Sequence, residues 1–187
     1  MKEKLIPIIM LLLTLPFTSA WADKYSDTLT VFKQAGESSN FIENSYGYAL
    51  FPTIGKAGLV VGGAHGSGRV YKQGAHVGDT SMTQLSVGLQ LGGQSFSQII
   101  FFEDERSFNE FTSGDFEFGA GIGVVAITAG AQASTTTGGT SAGASGGKSN
   151  ATTAGKYNKG MAIFSVAKGG LMYEASVSGQ KFSYTPI

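Results

Sequence analysis

Gly47 to Tyr71 reads GYALFPTIGKAGLVVGGAHGSGRVY, and the fold turns on how this stretch divides. An apolar run, Tyr48 to Phe51, meets Pro52. A Gly-Lys-Ala-Gly turn follows at Gly55–Gly58. A β-branched run, Leu59 to Val61, leads into a glycine cluster (Gly62, Gly63, Gly66, Gly68) and then Arg69. The expected order is strand, turn, strand, glycine corner, strand.

The segment before it has a different period. Tyr25, Leu29 and Phe32 recur at helical spacing, so Asp23 to Tyr46 is expected to form two helices. Gly36 ends the first, and Ser38 or Ser39 caps a second one carrying Phe41, Ile42 and Tyr46. Such a segment can lie on a membrane surface. Its charges, Lys24 and Lys33 against Asp23, Asp27 and Glu37, suit anionic lipid poorly and favour packing on a sheet. Farther upstream, Lys2 and Lys4 precede the apolar run Leu5–Leu15, and Ala20-Trp21-Ala22 is a small-x-small cleavage site. Residues 1–22 therefore read as a signal peptide and 23–187 as one domain. The apolar run is shorter than the roughly 20 residues a spanning helix needs.

Downstream of Tyr71 the period stays at two. Gln73-Gly74-Ala75 is a turn. Thr83 to Leu91 alternates as a half-buried strand, with Leu85, Val87, Leu89 and Leu91 on one face and Gln84, Ser86, Gly88 and Gln90 on the other. Gly92-Gly93 is either a tight hairpin or a bulge. Phe96 to Phe102 is strand, apolar on both faces from Ile99. Asp104 caps a short helix to Phe111. Phe116 to Ala133 returns to strand. Ser134 to Gly155, low in apolar bulk, is expected to be a flexible loop. Gly160–Val166 and Leu171–Val177 are strands about a turn at Ala167–Gly170, and Gln180–Tyr184 closes the chain. Gly47–Phe51 echoes Gly160–Phe164, and Lys56–Leu59 echoes Lys168–Leu171, which suggests two related strand–turn–strand units.

The chain has 13 Lys+Arg, 13 Asp+Glu and no Cys. Beyond residue 22 there remain 11 basic and 12 acidic side chains, so a basic footprint for nucleic acid is missing. The lack of cysteine removes disulfides and thiol chemistry and suits an exported chain of a periplasm or cell exterior. Gly62–Gly68 lacks the Lys-Ser/Thr ending and following helix of a phosphate loop, and Gly119–Gly123 lacks the strand-to-helix setting of a dinucleotide fingerprint. His65 and His76 with Asp79 match no metal spacing. Glu103-Asp104-Glu105 is better placed for helix capping than for acid–base work. No base–nucleophile pair is legible, so the chain is expected to be non-enzymatic and without cofactor.

One cationic set has a functional reading. If the two strand–turn–strand units lie side by side, Lys56 and Lys168 approach each other. With Arg69 and Lys72 near exposed backbone N–H groups, they would suit a phosphate head group.

Together Tyr48–Pro52, Lys56–Leu59, Gly66–Val70, Ser86–Gln90 with Gly92 and Gln94, the Phe101-Phe102 … Phe108 … Phe111 run and Lys168–Leu171 resemble the SYLF domain family, the Ysc84-like actin- and lipid-binding domain. The resemblance runs from about Ser45 to Tyr184. It implies a lipid-binding module without known catalysis, which binds phosphoinositides in eukaryotic members and is tied to actin in fungal ones. Lys56, Arg69 and Lys168 fall on matched positions; Lys72 does not.

The expected fold is α+β: an antiparallel β-sandwich or small barrel with N-terminal helices and one helix after the central strands. The expected function is binding of anionic lipid head groups at the envelope, as a peripheral protein of the periplasm, outer membrane or cell surface. Two other classes stand beside it. One is a small outer-membrane β-barrel. The other is an envelope or secreted assembly protein acting through a protein partner or self-association.

Overall fold

The computed structural model describes residues 19–118, 124–127 and 156–187. In chain order these form α1 (Ser19–Gln34), α2 (Gly36–Asn44), β1 (Gly47–Gly58), β2 (Val61–Lys72), β3 (Ala75–Phe102), α3 (Glu105–Phe111), β4 (Asp115–Phe118), β5 (Val124–Ile127) and β6 (Met161–Pro186). The expected loop Ser134–Gly155 and most of residues 1–22 lie outside the described residues. Over the described residues the protein is a mostly antiparallel sheet with three helices packed against it, which bears out the β-rich α+β expectation.

The strand breaks differ from those expected. β1 runs unbroken through Gly55–Gly58, and the turn falls at Leu59-Val60 instead. The glycine cluster Gly62–Gly68 is strand rather than corner. Gly66 and Gly68 are needed there, because a Cβ at either would lie 2.6 Å from Ile54 Cγ1 or Phe51 Cδ1 respectively. β3 passes through Gly92-Gly93 without a hairpin, and β6 passes through Ala167–Gly170 without a turn. In each case a neighbouring strand carries the ladder on, with a register shift at Lys168 in β6, so local glycine content does not end the strand. The Gln73-Gly74 turn is as expected, with both residues at positive φ.

β3 organises the sheet. Its first half pairs with β2 from Lys72↔Ala75 to Val61↔Val87. Its second half pairs with β1 from Gly47↔Phe102 to Gly58↔Gly92. β1 and β2 also pair with each other, from Gly47↔Lys72 to Gly58↔Gly62. Three ladders therefore converge on the Leu59-Val60 turn, and β3 bends around it. The bend uses Gly88 and Gly92, at φ +147° and +122°, a region open to glycine and costly for other residues. Val60 O closes the corner by accepting from Gly88 N at 3.0 Å. β6 runs along the whole other edge of β3; β4 and β5 pair with β6, the latter in parallel.

Away from the corner the sheet is buried on both faces. One apolar cluster gathers Ala49, Phe51, Ile54, Met82, Ile100, Phe102 and Phe182 beneath α3, through Phe108 and Phe111. On the opposite face Tyr48, Leu50, Ile99, Phe101 and Phe164 pack under Tyr25 and Phe32 of α1, with Phe41 of α2 at the margin. Burial of each large side chain is worth about 1.5–3 kcal/mol, so the N-terminal helices belong to the core, as expected from their poor charge pattern for lipid. Gly36 starts α2 rather than ending α1, and the residue at its N-cap position, Ala35, provides no side-chain cap. Ser38 donates back to Phe32 O at 2.6 Å and so joins the two helices.

α3 starts as expected at Asp104, whose carboxylate accepts from Ser107 N at 2.8 Å while Asp104 N donates to Ser107 Oγ at 3.3 Å. This reciprocal box holds the Asp104 carboxyl below its ordinary pKa, chiefly through the Ser107 backbone hydrogen bond.

The internal echo has a structural counterpart, shifted by one residue. β1 and the first part of β6 flank the second half of β3, with Ala49 level with Ile100 and Ile163 on the same face. The echo aligned Ala49 with Ala162, which points the other way.

Candidate functional site

The four cations singled out from sequence go to different places. Arg69 stacks over the Tyr25 ring at 4.3 Å and lies 4.0 Å from Asp79, which ties α1 to the sheet. Burial raises the Tyr25 pKa, and the Arg69 charge opposes that rise. Lys72 lies 4.9 Å over the Tyr46 ring and 5.6 Å over Phe108, with its pKa raised chiefly by hydrogen bonding to Tyr46. Lys168 Nζ donates to Pro52 O and Thr53 Oγ1, both at 3.1 Å. Pro52 sits in the bulge between Leu50 and Thr53, and its carbonyl also accepts from Ser97 Oγ at 2.8 Å. Lys168 thus staples a bulge.

Lys56 alone lies toward the corner. It pairs with Ala64 and Gln94. Lys72, beside Gly47, is nine residues of β1 away, roughly 30 Å at strand rise. The structure does not bring the four into one cluster. The two histidines are also apart. His76 Nε2 contacts Asp79 Oδ1 and Gly78 O, each at 3.1 Å; His65 Nδ1 lies 3.2 Å from Thr83 Oγ1. Among the described residues no group of three or more His, Asp or Glu could hold a metal ion.

What the structure does bring together is an apolar corner. Leu59, Val60, Val61, Leu85, Val87 and Leu91 are 63–69% exposed and surround the point where the three ladders meet. Sequence reading recognised the alternation of Thr83–Leu91. The buried face, however, is the polar one. Gln84 and Ser86 are buried while Leu85 and Val87 face outward.

The inversion can be followed row by row across the ladders. On the inner face Phe182, Met82, Gly66, Ile54 and Phe96 form one row. The next row toward the corner is Gln180, Gln84, Ala64, Lys56 and Gln94. Gln180 Nε2 donates to Gln84 Oε1 at 3.0 Å, and Gln98 Nε2 to Gln180 Oε1 at 3.3 Å. Side-chain amides can satisfy one another in this way, which removes most of the cost of their burial.

The outer face changes in the opposite sense over the same two residues. One row holds Glu117, Lys181, Thr83 and His65. The next holds Leu85, Gly63 and Ala57, and Val87 and Val61 follow. At this end of the sheet, then, the interior is polar and the exterior apolar.

Between residues 45 and 102 the chain has Lys56, Arg69 and Lys72 but a single acidic side chain, Asp79. Among the described residues no helix is long and apolar enough to cross a membrane.

No family model matches the chain. It is similar to beta cell expansion factor A of Aeromonas veronii, with 30% identity over 158 residues, covering 82% of this chain and 51% of that protein. The chain thus spans about half the length of this curated relative.

Proposed function

We propose that this protein is a non-enzymatic, exported membrane-surface module of the SYLF type. In this reading its sheet closes into a small barrel, and its apolar corner enters the lipid. The observation that carries the reading is the corner itself: six large apolar side chains, each about two thirds exposed, on a part of the sheet whose inner face is polar. Isolated exposed apolar residues need no explanation, but contiguous patches mark interaction sites. Apolar-out, polar-in alternation is the pattern a sheet needs in hydrocarbon, where backbone groups must also be paired. Here β1, β2 and β3 are each laddered on both edges.

The apolar rows run from Leu85 to the turn, about three rows at roughly 7 Å each. That is less than the roughly 30 Å thickness of a bilayer core. The corner therefore enters one leaflet without spanning, which favours a peripheral protein over an outer-membrane barrel. The head-group contact moves accordingly. Lys56 stays near the membrane, while Arg69, Lys72 and Lys168 serve the fold.

Flotation with neutral and anionic vesicles at low and high salt tests the reading. Insertion of the corner predicts binding that survives high salt, because burial of apolar surface is not screened. Binding lost in salt would return the contact to charge alone. No binding to either vesicle, with concentration-dependent association of the protein instead, would assign the corner to a second copy and sink the lipid reading.

A further inference from the structure

Tyr48 and Tyr71 are cross-strand partners on β1 and β2. Their rings stack with centroids 4.9 Å apart and planes 20° apart. Tyr48 is buried, and its ring also meets Phe101 edge-on at 6.3 Å. Tyr71 is half-buried at the margin of the same cluster, so a dissolved oxidant can reach it. Two other tyrosines differ from this pair. Arg69 stands over the Tyr25 ring at 4.3 Å, and Lys72 over the Tyr46 ring at 4.9 Å. A cation on the ring face is attracted to the electron-rich ring and opposes loss of an electron from it. Among the described residues no Lys or Arg stands over Tyr48 or Tyr71 in this way. The chain also has no cysteine, so no disulfide can join its strands.

We propose that Tyr48 and Tyr71 form an oxidative cross-linking site, at which a peroxidase with hydrogen peroxide couples the two rings into dityrosine. The proposal is independent of the membrane-docking reading. Each phenol gives one electron to the oxidant and its phenolic proton to water. Burial pushes the Tyr48 phenol up to about 12, so at neutral pH its proton leaves with the electron rather than before it. The oxidant meets Tyr71 first. The stacked rings let the electron vacancy pass to Tyr48, and a second oxidation at Tyr71 completes a pair of phenoxyl radicals. A carbon–carbon bond then forms between the ring carbons ortho to the two oxygens. The hydrogens on those carbons move to the oxygens and restore both phenols. In sum two hydrogens leave the protein, and one hydrogen peroxide becomes two waters. The product ties β1 to β2 and closes the loop from Tyr48 to Tyr71, which restricts the unfolded chain as a disulfide does.

The test treats the dilute, folded chain with a peroxidase and hydrogen peroxide, for the parent, Tyr71→Phe, Tyr48→Phe and Tyr184→Phe. Each substitution keeps the ring and removes only the hydroxyl, so the packing is retained. Intact mass, dityrosine fluorescence and mapping of cross-linked peptides are read. The expected result is a monomer lighter by two hydrogens, with one bridge joining the peptides that carry Tyr48 and Tyr71. That bridge is lost in Tyr71→Phe and in Tyr48→Phe and kept in Tyr184→Phe. A bridge within the monomer that persists in Tyr71→Phe overturns the proposal. So does dityrosine formed only between separate chains, or the absence of any dityrosine in the parent.

Discussion

Gly68→Ala, set against Gly63→Ala, tests the architecture directly. Both glycines lie in β2, but only one faces the packed interior. A Cβ at Gly68 would stand 2.6 Å from Phe51 Cδ1 and 2.7 Å from Leu50 O. Favourable carbon contacts lie near 3.5–4.0 Å, so about 1 Å of space must open. Phe51 and Leu50 are fully buried and laddered, so neither can give way without moving β1. Overpacking of this kind costs about 1–3 kcal/mol. At roughly 2–4 °C per kcal/mol for a chain of this size, a cost near the upper end lowers the melting temperature by about 6–12 °C. A Cβ at Gly63 meets only Gln84 O, at 3.7 Å. There alanine fits, and the loss of unfolded-state freedom stabilises by about 0.4–1 kcal/mol. Thermal denaturation followed by circular dichroism should show a large fall for Gly68→Ala and no fall, or a slight rise, for Gly63→Ala. Equal effects at the two positions would refute the assignment of inner and outer faces.

Three further outcomes follow from the geometry. Val60→Asp puts a charge at the tip of the corner and should weaken vesicle binding by about tenfold, since an acidic side chain facing hydrocarbon costs less than the roughly 2–4 kcal/mol of a basic one at the midplane, with its circular dichroism spectrum unchanged; binding equal to the parent's would remove the corner from the contact. Lys168→Met loses the bonds to Pro52 O and Thr53 Oγ1 and should lower the melting temperature modestly while leaving vesicle affinity intact, whereas loss of affinity without loss of stability would restore Lys168 as a head-group ligand. Asp104 has a depressed folded-state pKa, so its contribution is present above the unfolded value, near pH 4, and fades as pH falls through the folded one. Asp104→Ala should therefore be less stable than the parent at neutral pH, with the gap narrowing in acid on parallel melting curves; a gap constant with pH would place the effect elsewhere.

The helices and their caps were legible because their signals are local. Tyr25, Phe32 and Asp104 act within a turn or two of themselves. The strand boundaries were not. Glycine marks a turn when nothing else holds the backbone, but here a strand on each side holds it. Gly92 and Gly93 pair with Gly58 and Ala57 on β1 and with Met172 and Leu171 on β6. The Leu59-Val60 turn lacks ordinary turn residues, since it faces outward at a junction of ladders. The candidate site was half legible. Alternation from Gln84 to Val87 separated the two faces, yet the usual rule that leucines go inward fails where the inside is lined by glutamine. The contacts of the cationic set were illegible for a related reason: Arg69, Lys72 and Lys168 each meet a partner from a distant part of the chain, which spacing cannot show.

The glutamine row has a consequence for how the chain finds its fold. A one-residue slip of β3 against its neighbours would turn every side chain over. Near the corner such a slip would hide Leu85 and Val87 and release Gln84 and Ser86 to water, so the local preference in water runs against the native pairing. The native pairing wins because the same slip would exchange Ile100 and Phe102 with Ile99 and Phe101 between two differently shaped packed clusters at the other end, and separate Gln84 from Gln180. β3 is therefore a strand pulled in two directions, its far half enforcing an arrangement that its near half resists. Such local conflict narrows the gap to competing states. It concentrates the chain's vulnerability to mispairing in the stretch from Thr83 to Leu91.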